Sequence, residues 1–468
     1  MRRVYPFPNG VNQQISLAPA KIYTIANPAD RFELAGEPDE WLQCQRTGQV
    51  WRWLNDAWTP DPIRPEGNYG LAIVGTSNGY RGPHPGILQS ASEFAGDWSL
   101  SGLSNGTASW GYTLSHTALP FLANWSVSGS YIADQEAQMV KARAAMPSHL
   151  LFFVSSNDIY GATTFEALWA TLRGWATEVL GWGGTPIMVI PFARATTTAA
   201  QVTKLLKFKA AILDFCAKSV APCYAIDALG IVAQPGSATL APKTGYLDTD
   251  GIHLSPRGAQ ATGIALADLL VRIAPVRPEV YPTIGYETDT AGDELVQNPQ
   301  LAGTNGSLPT NWTAPITGAG VATYSNVVRP NGHNALRISF AAAAAGDSIQ
   351  FQQGSVPGRI PAGAWATAGI KVTIVSGGQY LRVCQPYLGI STGDATKAQA
   401  LQPPASSTNQ TAWDLLDGKS FWPETGRFQK VDAVGSRFGV VLTAFAAGTF
   451  VVELEAPYCK LSADGWPR

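Results

Sequence analysis

The sequence predicts an α/β domain with a parallel sheet, flanked on either side by β structure. Three observations lead there. From about residue 67 to 274, continuous apolar runs such as LAIVG (71–75) and LLFFV (150–154) alternate with amphipathic stretches of helical length. Beyond a Pro-rich segment at 274–283 the texture changes to short alternating runs, among them LRISF (336–340), IKVTIV (370–375), YLRVC (380–384) and TFVVELEA (449–456). Before residue 67, apolar-aromatic runs are broken by Pro, Gly and Asn. The chain therefore divides into a small β module (1–66), an α/β domain (67–274), a linker (275–294) and a β-sandwich (295–468).

Within the central region, LAIVG ends in Gly, the pattern of a strand buried on both faces. Further strands are expected at 125–127, 150–154, 187–190 and 224–226. Helices are expected at 134–145, 165–180 and 199–217; in the last, Leu205, Phe208, Ile212 and Phe215 recur at three- and four-residue spacing. A final helix is expected over 256–273, with Ser255 as N-cap and Pro256 at its first position. Such alternation builds a three-layer α/β domain, whose ligands bind at the carboxyl ends of the strands. In the N-terminal region, WLQCQRTGQVWRWLNDAWTP (41–60) reads as two strands around Thr47-Gly48, then a turn at Asn55-Asp56. The C-terminal region lacks helical periodicity apart from the alanine run at 341–345, as a sandwich should.

Composition narrows the function classes. A chain of 468 residues exceeds one core, and 45% hydrophobic content supports folded domains rather than disorder. A net charge of −2 gives no electrostatic basis for binding nucleic acid or an anionic membrane. No stretch approaches the length of a membrane span, and the opening MRRVYPFPNGVNQQISL lacks the apolar core of a signal peptide. The five cysteines form no CxxC pair. Cys216 and Cys223 could meet across a helix-to-strand turn, but buried thiols are the preferred reading. No phosphate-cradling Gly loop and no His/Cys/Asp ligand cluster stands out, so neither cofactor nor metal is expected.

Four short elements carry chemistry. Gly75-Thr-Ser77-Asn-Gly79 places a hydroxyl just past a buried strand, between glycines that let the backbone turn and a substrate approach. Asp250-Gly-Ile-His253 immediately precedes the capped helix; an imidazole is the usual base for a serine, and an acid holds its tautomer. His84, in the loop after Ser77, is a weaker alternative base. Ser155-Ser-Asn157-Asp158 follows LLFFV, where an Asn amide can donate to a developing oxyanion. Asn124-Trp-Ser-Val-Ser-Gly129 can offer a backbone N–H to the same oxygen. Each taken alone is as readily an ordinary turn.

Taken in order, Ser, Gly, Asn and Asp-x-x-His resemble the four sequence blocks of the SGNH (GDSL-like) hydrolases, over about two hundred residues. SWGYTLSHTAL (109–119) is similar to the Trp-containing helix that follows that family's first block. The resemblance implies a flavodoxin-like SGNH domain with Ser77 as nucleophile, His253 as base and Asp250 as its orienting acid. The N–H groups of Ser77 and Gly129 and the Asn157 side chain would form the oxyanion hole. Two departures stand out. Gly-Thr-Ser-Asn replaces Gly-Asp-Ser and is closer to the Gly-Gln-Ser-Asn of some carbohydrate acetylesterases. Ser155 stands where Gly is usual before Asn157.

The flanks carry resemblances of their own. LVQNPQLAGTNGSLPTNWT (295–313) resembles the first strand of carbohydrate-binding jelly-roll modules, with Trp312, Trp365, Trp413 and Trp422 as candidates for stacking on sugars or for filling the core. The N-terminal Ala-Asp-Arg run and Trp-Arg-Trp hairpin resemble a module of bacteriophage tail-fibre and tailspike proteins. Together these imply an O-deacetylating carbohydrate esterase on a virion tail or otherwise extracellular. Its partner would be an acetylated poly- or oligosaccharide, and its assembly a homotrimer among tail components. The other readings are a lipase or thioesterase on the same fold, and an inactive glycan-binding adhesin.

Overall fold

The computed structural model describes residues 69–80, 106–275 (bar 118, 120, 154 and 155), 296–353 (bar 331), 364–390, 397–399, 413–423, 428–429 and 436–461. It also describes, as backbone strands, residues 15–16, 21–25, 41–44, 50–54 and 57–60. The chain forms two compact units, residues 1–80, 117–242 and 269–277 in the first and 81–116, 243–268 and 278–468 in the second.

In the first unit, β1 (Ile15–Ser16), β2 (Lys21–Ile25), β3 (Trp41–Cys44), β4 (Val50–Leu54) and β5 (Ala57–Pro60) pair in chain order as one sheet. β3, β4 and β5 run antiparallel, as the expected turns require, whereas β2 and β3 are parallel. The turn residues Thr47, Gly48, Asn55 and Asp56 lie outside the described residues.

The α/β elements follow in order: β6 (Leu71–Gly75), α1 (Ser77–Tyr80), α2 (Thr107–Ser115), β7 (Phe121–Asn124), α3 (Ile132–Ala145), β8 (His149–Phe153), α4 (Ser156–Tyr160), α5 (Phe165–Gly181), β9 (Thr185–Val189), α6 (Ala199–Lys218), β10 (Tyr224–Ile226), α7 (Ala228–Val232) and α8 (Pro256–Ile273). The five parallel strands lie in the order β7-β6-β8-β9-β10, the flavodoxin-like arrangement 2-1-3-4-5. The order in which strands are added along the sheet reverses between β6 and β8, the switch point where such sheets bind ligands. Leu71 to Val74 are fully buried, as a strand covered on both faces must be. On one face Ala72, Val74, Leu150, Phe152 and Met188 join Met139, Leu172, Trp175, Leu205 and Phe208 from α3, α5 and α6 in one core.

One expected strand moves. Residues 125–127 follow β7 instead of forming it, although Trp125 and Val127 still donate their N–H groups to Ile73 and Gly75. At the strand's last residue the Asn124 side chain bonds on both sides: its Oδ1 takes the Ser126 N–H at 3.0 Å and its Nδ2 donates to the Gly79 carbonyl at 2.8 Å. An Asx bond of this kind competes with the ladder.

In the second unit, two antiparallel sheets of six strands each make a β-sandwich. One is built around Asn334–Ala342, Gly448–Leu461 and Trp365–Ser376, the other around Ser348–Gln353, Ser436–Ala444 and Leu381–Ile390. Alternation is visible along the first: Leu336, Ile338 and Phe340 are buried while Arg337 and Ser339 are half-buried. The stretch at 296–311 forms turns rather than the expected first strand, because Asn298 accepts the Ala302 N–H and donates to the Ala302 and Thr310 carbonyls. The alanine run leaves its strand at Ala342 and bends, with Asp347 accepting the N–H groups of Ala343 and Ala344.

Trp312 and Trp422 are core-facing residues and not sugar platforms. Trp312 is 4% exposed and stacks on Phe351 at 4.2 Å; Trp422 is 7% exposed and stacks on His116 at 4.7 Å. The side chains of Trp365 and Trp413 lie outside the described residues, as does most of the linker.

Candidate active site

The candidate residues fall in the two units. Ser77, Gly129 and Asn157 belong to the first, Asp250 and His253 to the second. In the first unit they follow β6, β7 and β8, three adjacent strands, at their carboxyl ends. Ser77 and Asn157 thus flank the switch point.

The end of β6 is held on every side. Gly75 has φ +152°, and a Cβ there would lie 2.3 Å from the Phe153 carbonyl oxygen, so only Gly lets β6 and β8 approach this closely. Gln138 of α3 clamps the same residue, accepting its N–H at 2.7 Å and donating to its carbonyl at 3.1 Å. Thr76 donates its N–H to Phe153 at 2.9 Å. Ser77 then opens α1 and is 8% exposed.

Gly129 is exposed with φ +80°, a left-handed conformation that costs a glycine little. The next residue ties its loop down: Ser130 Oγ donates to Val127 at 2.8 Å, and the Ser130 carbonyl accepts from Asn157 Nδ2 at 3.0 Å. Asn157 lies in the first turn of α4, and Arg194 Nη2 donates to its Oδ1 at 2.8 Å. Asp158 beside it is 1% exposed. Burial pushes its carboxyl up, against the Ile132 N–H and the Thr163 hydroxyl, which it accepts at 2.9 Å and 3.0 Å. Ser155 and His84 lie outside the described residues.

In the second unit, His253 Nδ1 lies 2.5 Å from Asp250 Oδ2. Asp250 Oδ1 accepts the N–H groups of Ile252 at 2.8 Å and His253 at 3.0 Å. Burial would raise this carboxyl, but the His253 ring bond, the two N–H groups and the imidazole's charge outweigh it and hold it down at about 2. An ionised carboxylate only accepts, so Nδ1 carries a proton, and the tautomer this selects for a neutral ring has its lone pair on Nε2. Local bonds shape this loop. Leu247 bridges Leu254, Gly251 turns at φ +67°, and the Ser255 hydroxyl caps α8 by accepting the Gly258 N–H at 3.1 Å. That cap, and Pro256 after it, stand as the sequence predicts.

Sequence reasoning missed Gln138, Asp158 and Arg194. Gln138 and Arg194 act on residues far away in the chain, and only Asp158, next to Asn157 in the third block, carried any local signal. Among the described residues, no group of three or more His, Cys, Asp or Glu is placed to hold a metal ion, and no helix is long and apolar enough to cross a membrane.

No family model matches the chain, and no curated protein does. Solved structures do. An acetyl-xylooligosaccharide esterase variant from Geobacillus stearmophilus is 16% identical over 46% of this chain and 96% of its own, with a TM-score of 0.35. A lipolytic protein of the G-D-S-L family from Desulfitobacterium hafniense is 14% identical over 43% of this chain and 100% of its own, at a TM-score of 0.33. An arabinose-bound GH51 α-L-arabinofuranosidase is 12% identical over 39% of this chain but only 28% of its own length, at 0.29.

Proposed function

We propose that this chain is a serine esterase that removes O-acetyl groups from a glycan through an acyl-enzyme. Ser77 Oγ attacks the acetyl carbonyl carbon while His253 Nε2 takes its proton. Asp250 holds the imidazole tautomer and steadies the imidazolium. The N–H groups of Ser77 and Gly129 and the Asn157 amide receive the oxyanion, a contribution of about 3 kcal/mol for a single donor. Collapse returns the proton from His253 to the departing sugar hydroxyl. Water, deprotonated by His253, then releases acetate and restores Ser77.

The observation that carries this reading is the position of Ser77, Gly129 and Asn157 at the carboxyl ends of three neighbouring strands beside the switch point. The Asp250–His253 pair supports it by supplying an imidazole of defined tautomer. The Thr76-Ser77-Asn78 variant of the first block favours an acetylated sugar as substrate. A virion tail or extracellular setting, with the glycan as partner and a homotrimeric assembly, rests on the sequence resemblances of the two flanks.

Acetate release from acetylated bacterial surface polysaccharides, with p-nitrophenyl acetate alongside, tests the reading. Turnover by the wild type and its loss in Ser77→Ala are expected. Rates that rise with acyl length would move the assignment to a lipase or thioesterase. Glycan binding without turnover would make the chain an adhesin.

A further inference from the structure

Asn157 is held by groups that leave its amide one orientation. Arginine only donates hydrogen bonds and a backbone carbonyl only accepts them. With Arg194 Nη2 at 2.8 Å from one end of the amide and the Ser130 carbonyl at 3.0 Å from the other, the first end must be Oδ1 and the second Nδ2. One Nδ2 hydrogen goes to Ser130, and the other remains for an acceptor.

Arg194 is itself fixed by Tyr160, which shares α4 with Asn157. The guanidinium lies 4.2 Å from the Tyr160 ring centroid, a cation–π contact. Behind it, three groups close a ring of donors. The Arg194 N–H donates to the Tyr160 hydroxyl at 2.7 Å, and the Thr197 hydroxyl donates to the Arg194 carbonyl at 2.9 Å. The Tyr160 hydroxyl, 2.9 Å from Thr197 Oγ1, therefore supplies the remaining donor. Bonds in such a ring strengthen one another. The segment containing Arg194 follows β9, so the cation reaches Asn157 from the carboxyl end of the next strand.

We propose that Arg194 is a positioning residue for the oxyanion: it orients the Asn157 amide and, by donating a charged hydrogen bond to Oδ1, makes the opposite N–H a stronger donor. This rests on the serine-esterase reading of the same site. The effect belongs to the transition state, where the substrate oxygen gains charge, and not to the bound ester.

The test is p-nitrophenyl acetate hydrolysis by the full chain as wild type, Ser77→Ala, Arg194→Ala, Arg194→Gln, Asn157→Ala and the Arg194→Ala/Asn157→Ala pair. Arg194→Ala is expected to lower kcat about tenfold or more with KM changed less than about twofold, the pattern of a lost transition-state interaction. Arg194→Gln, which can still donate to Oδ1 but carries no charge, should recover part of the loss. In the Asn157→Ala background, Arg194→Ala should cost nothing further, since its effect passes through that amide. A kcat within about twofold of wild type, or full additivity in the cycle, would overturn the proposal. Should Arg194→Ala fail to fold, the same cycle run with Arg194→Gln decides. Turnover that survives Ser77→Ala would instead sink the esterase reading, and this inference with it.

Discussion

The Asp250 carboxylate receives three hydrogen bonds from a four-residue stretch of chain, one of them from the His253 ring at 2.5 Å. The group is thereby charged in the folded protein far below the pH at which a free aspartate protonates. The sign follows: a depressed folded pKa adds stability above the ordinary carboxylate range, and that stability is lost as pH falls toward about 2. Wild type and Asp250→Asn, compared by urea unfolding across pH, should differ most above the ordinary carboxylate range, and the difference should shrink progressively as pH falls from about 4 toward about 2. Esterase activity at neutral pH should fall at least about a hundredfold in the variant, because an Asn no longer enforces the tautomer. A difference that grows on acidification would contradict the assignment.

The approach of β6 to β8 gives a second test. A methyl group at position 75 would meet the Phe153 carbonyl at 2.3 Å and require φ +152° of a residue with a Cβ. Gly75→Ala should therefore cost about 2 kcal/mol or more in chemical denaturation and displace the turn that carries Ser77. The residual folded protein should be inactive. Ala at the exposed Gly129 meets no atom within 4 Å, so its cost should be confined to the backbone strain of φ +80°, about 1 kcal/mol.

These two positions also mark what the sequence could and could not disclose. LAIVG, the Ser255-Pro256 start of α8 and the apolar stripe of α6 were legible because local pattern decides them. The strand expected at 125–127 lies earlier, at 121–124: Trp125 and Val127 alternate like strand residues and still bond to β6, while the Asn124 side chain takes the Ser126 N–H through a contact that the pattern does not encode. The placement of Ser77, Gly129 and Asn157 beyond their strands was expected. Their supports were not, since Gln138 reaches Gly75 across 63 residues and Arg194 reaches Asn157 across 37.

Cys216 and Cys223 are free thiols, half-buried and buried, and their Sγ atoms also meet at 3.1 Å across the α6-to-β10 turn. Their bond stabilises the Cys216 thiolate and pushes Cys216 down, whereas the same bond and burial push Cys223 up. Cys216, which is also the more exposed, is thus the sulfur that ionises first as pH rises. Limited iodoacetamide should label Cys216 before Cys223, as read by peptide mass spectrometry. With oxidised glutathione as oxidant, Cys216 should attack, release glutathione thiolate, and pass through a mixed disulfide to a Cys216–Cys223 bond with loss of a second glutathione. Labelling of Cys223 first would contradict the order of ionisation.

The sandwich carries charge where a sheet face would ordinarily carry little. Glu453 and Glu455 alternate with the core residues Val452 and Leu454, and their side chains are 3% and 2% exposed. Both are paired. Arg329 donates Nε to Glu455 at 3.0 Å and Nη2 to Glu453 at 2.5 Å, and Arg337 donates Nε to Glu453 at 2.8 Å. Lys371 Nζ stands 3.9 Å from Glu455. Removing one member strands a desolvated charge, so Glu455→Ala should destabilise the fold by about 2–3 kcal/mol. The lower end applies because the Arg329 side chain keeps 26% of its exposure and can recover water. Replacing both partners, Glu455→Leu with Arg329→Met, should cost less than Glu455→Ala alone, since the Arg329 cation leaves together with its carboxylate, Glu453 keeps Arg337, and Lys371 loses Glu455 in both variants alike. Equilibrium unfolding of the three proteins in urea measures the difference. A double variant weaker than the single would show that the pair contributes more through attraction than its desolvation takes away.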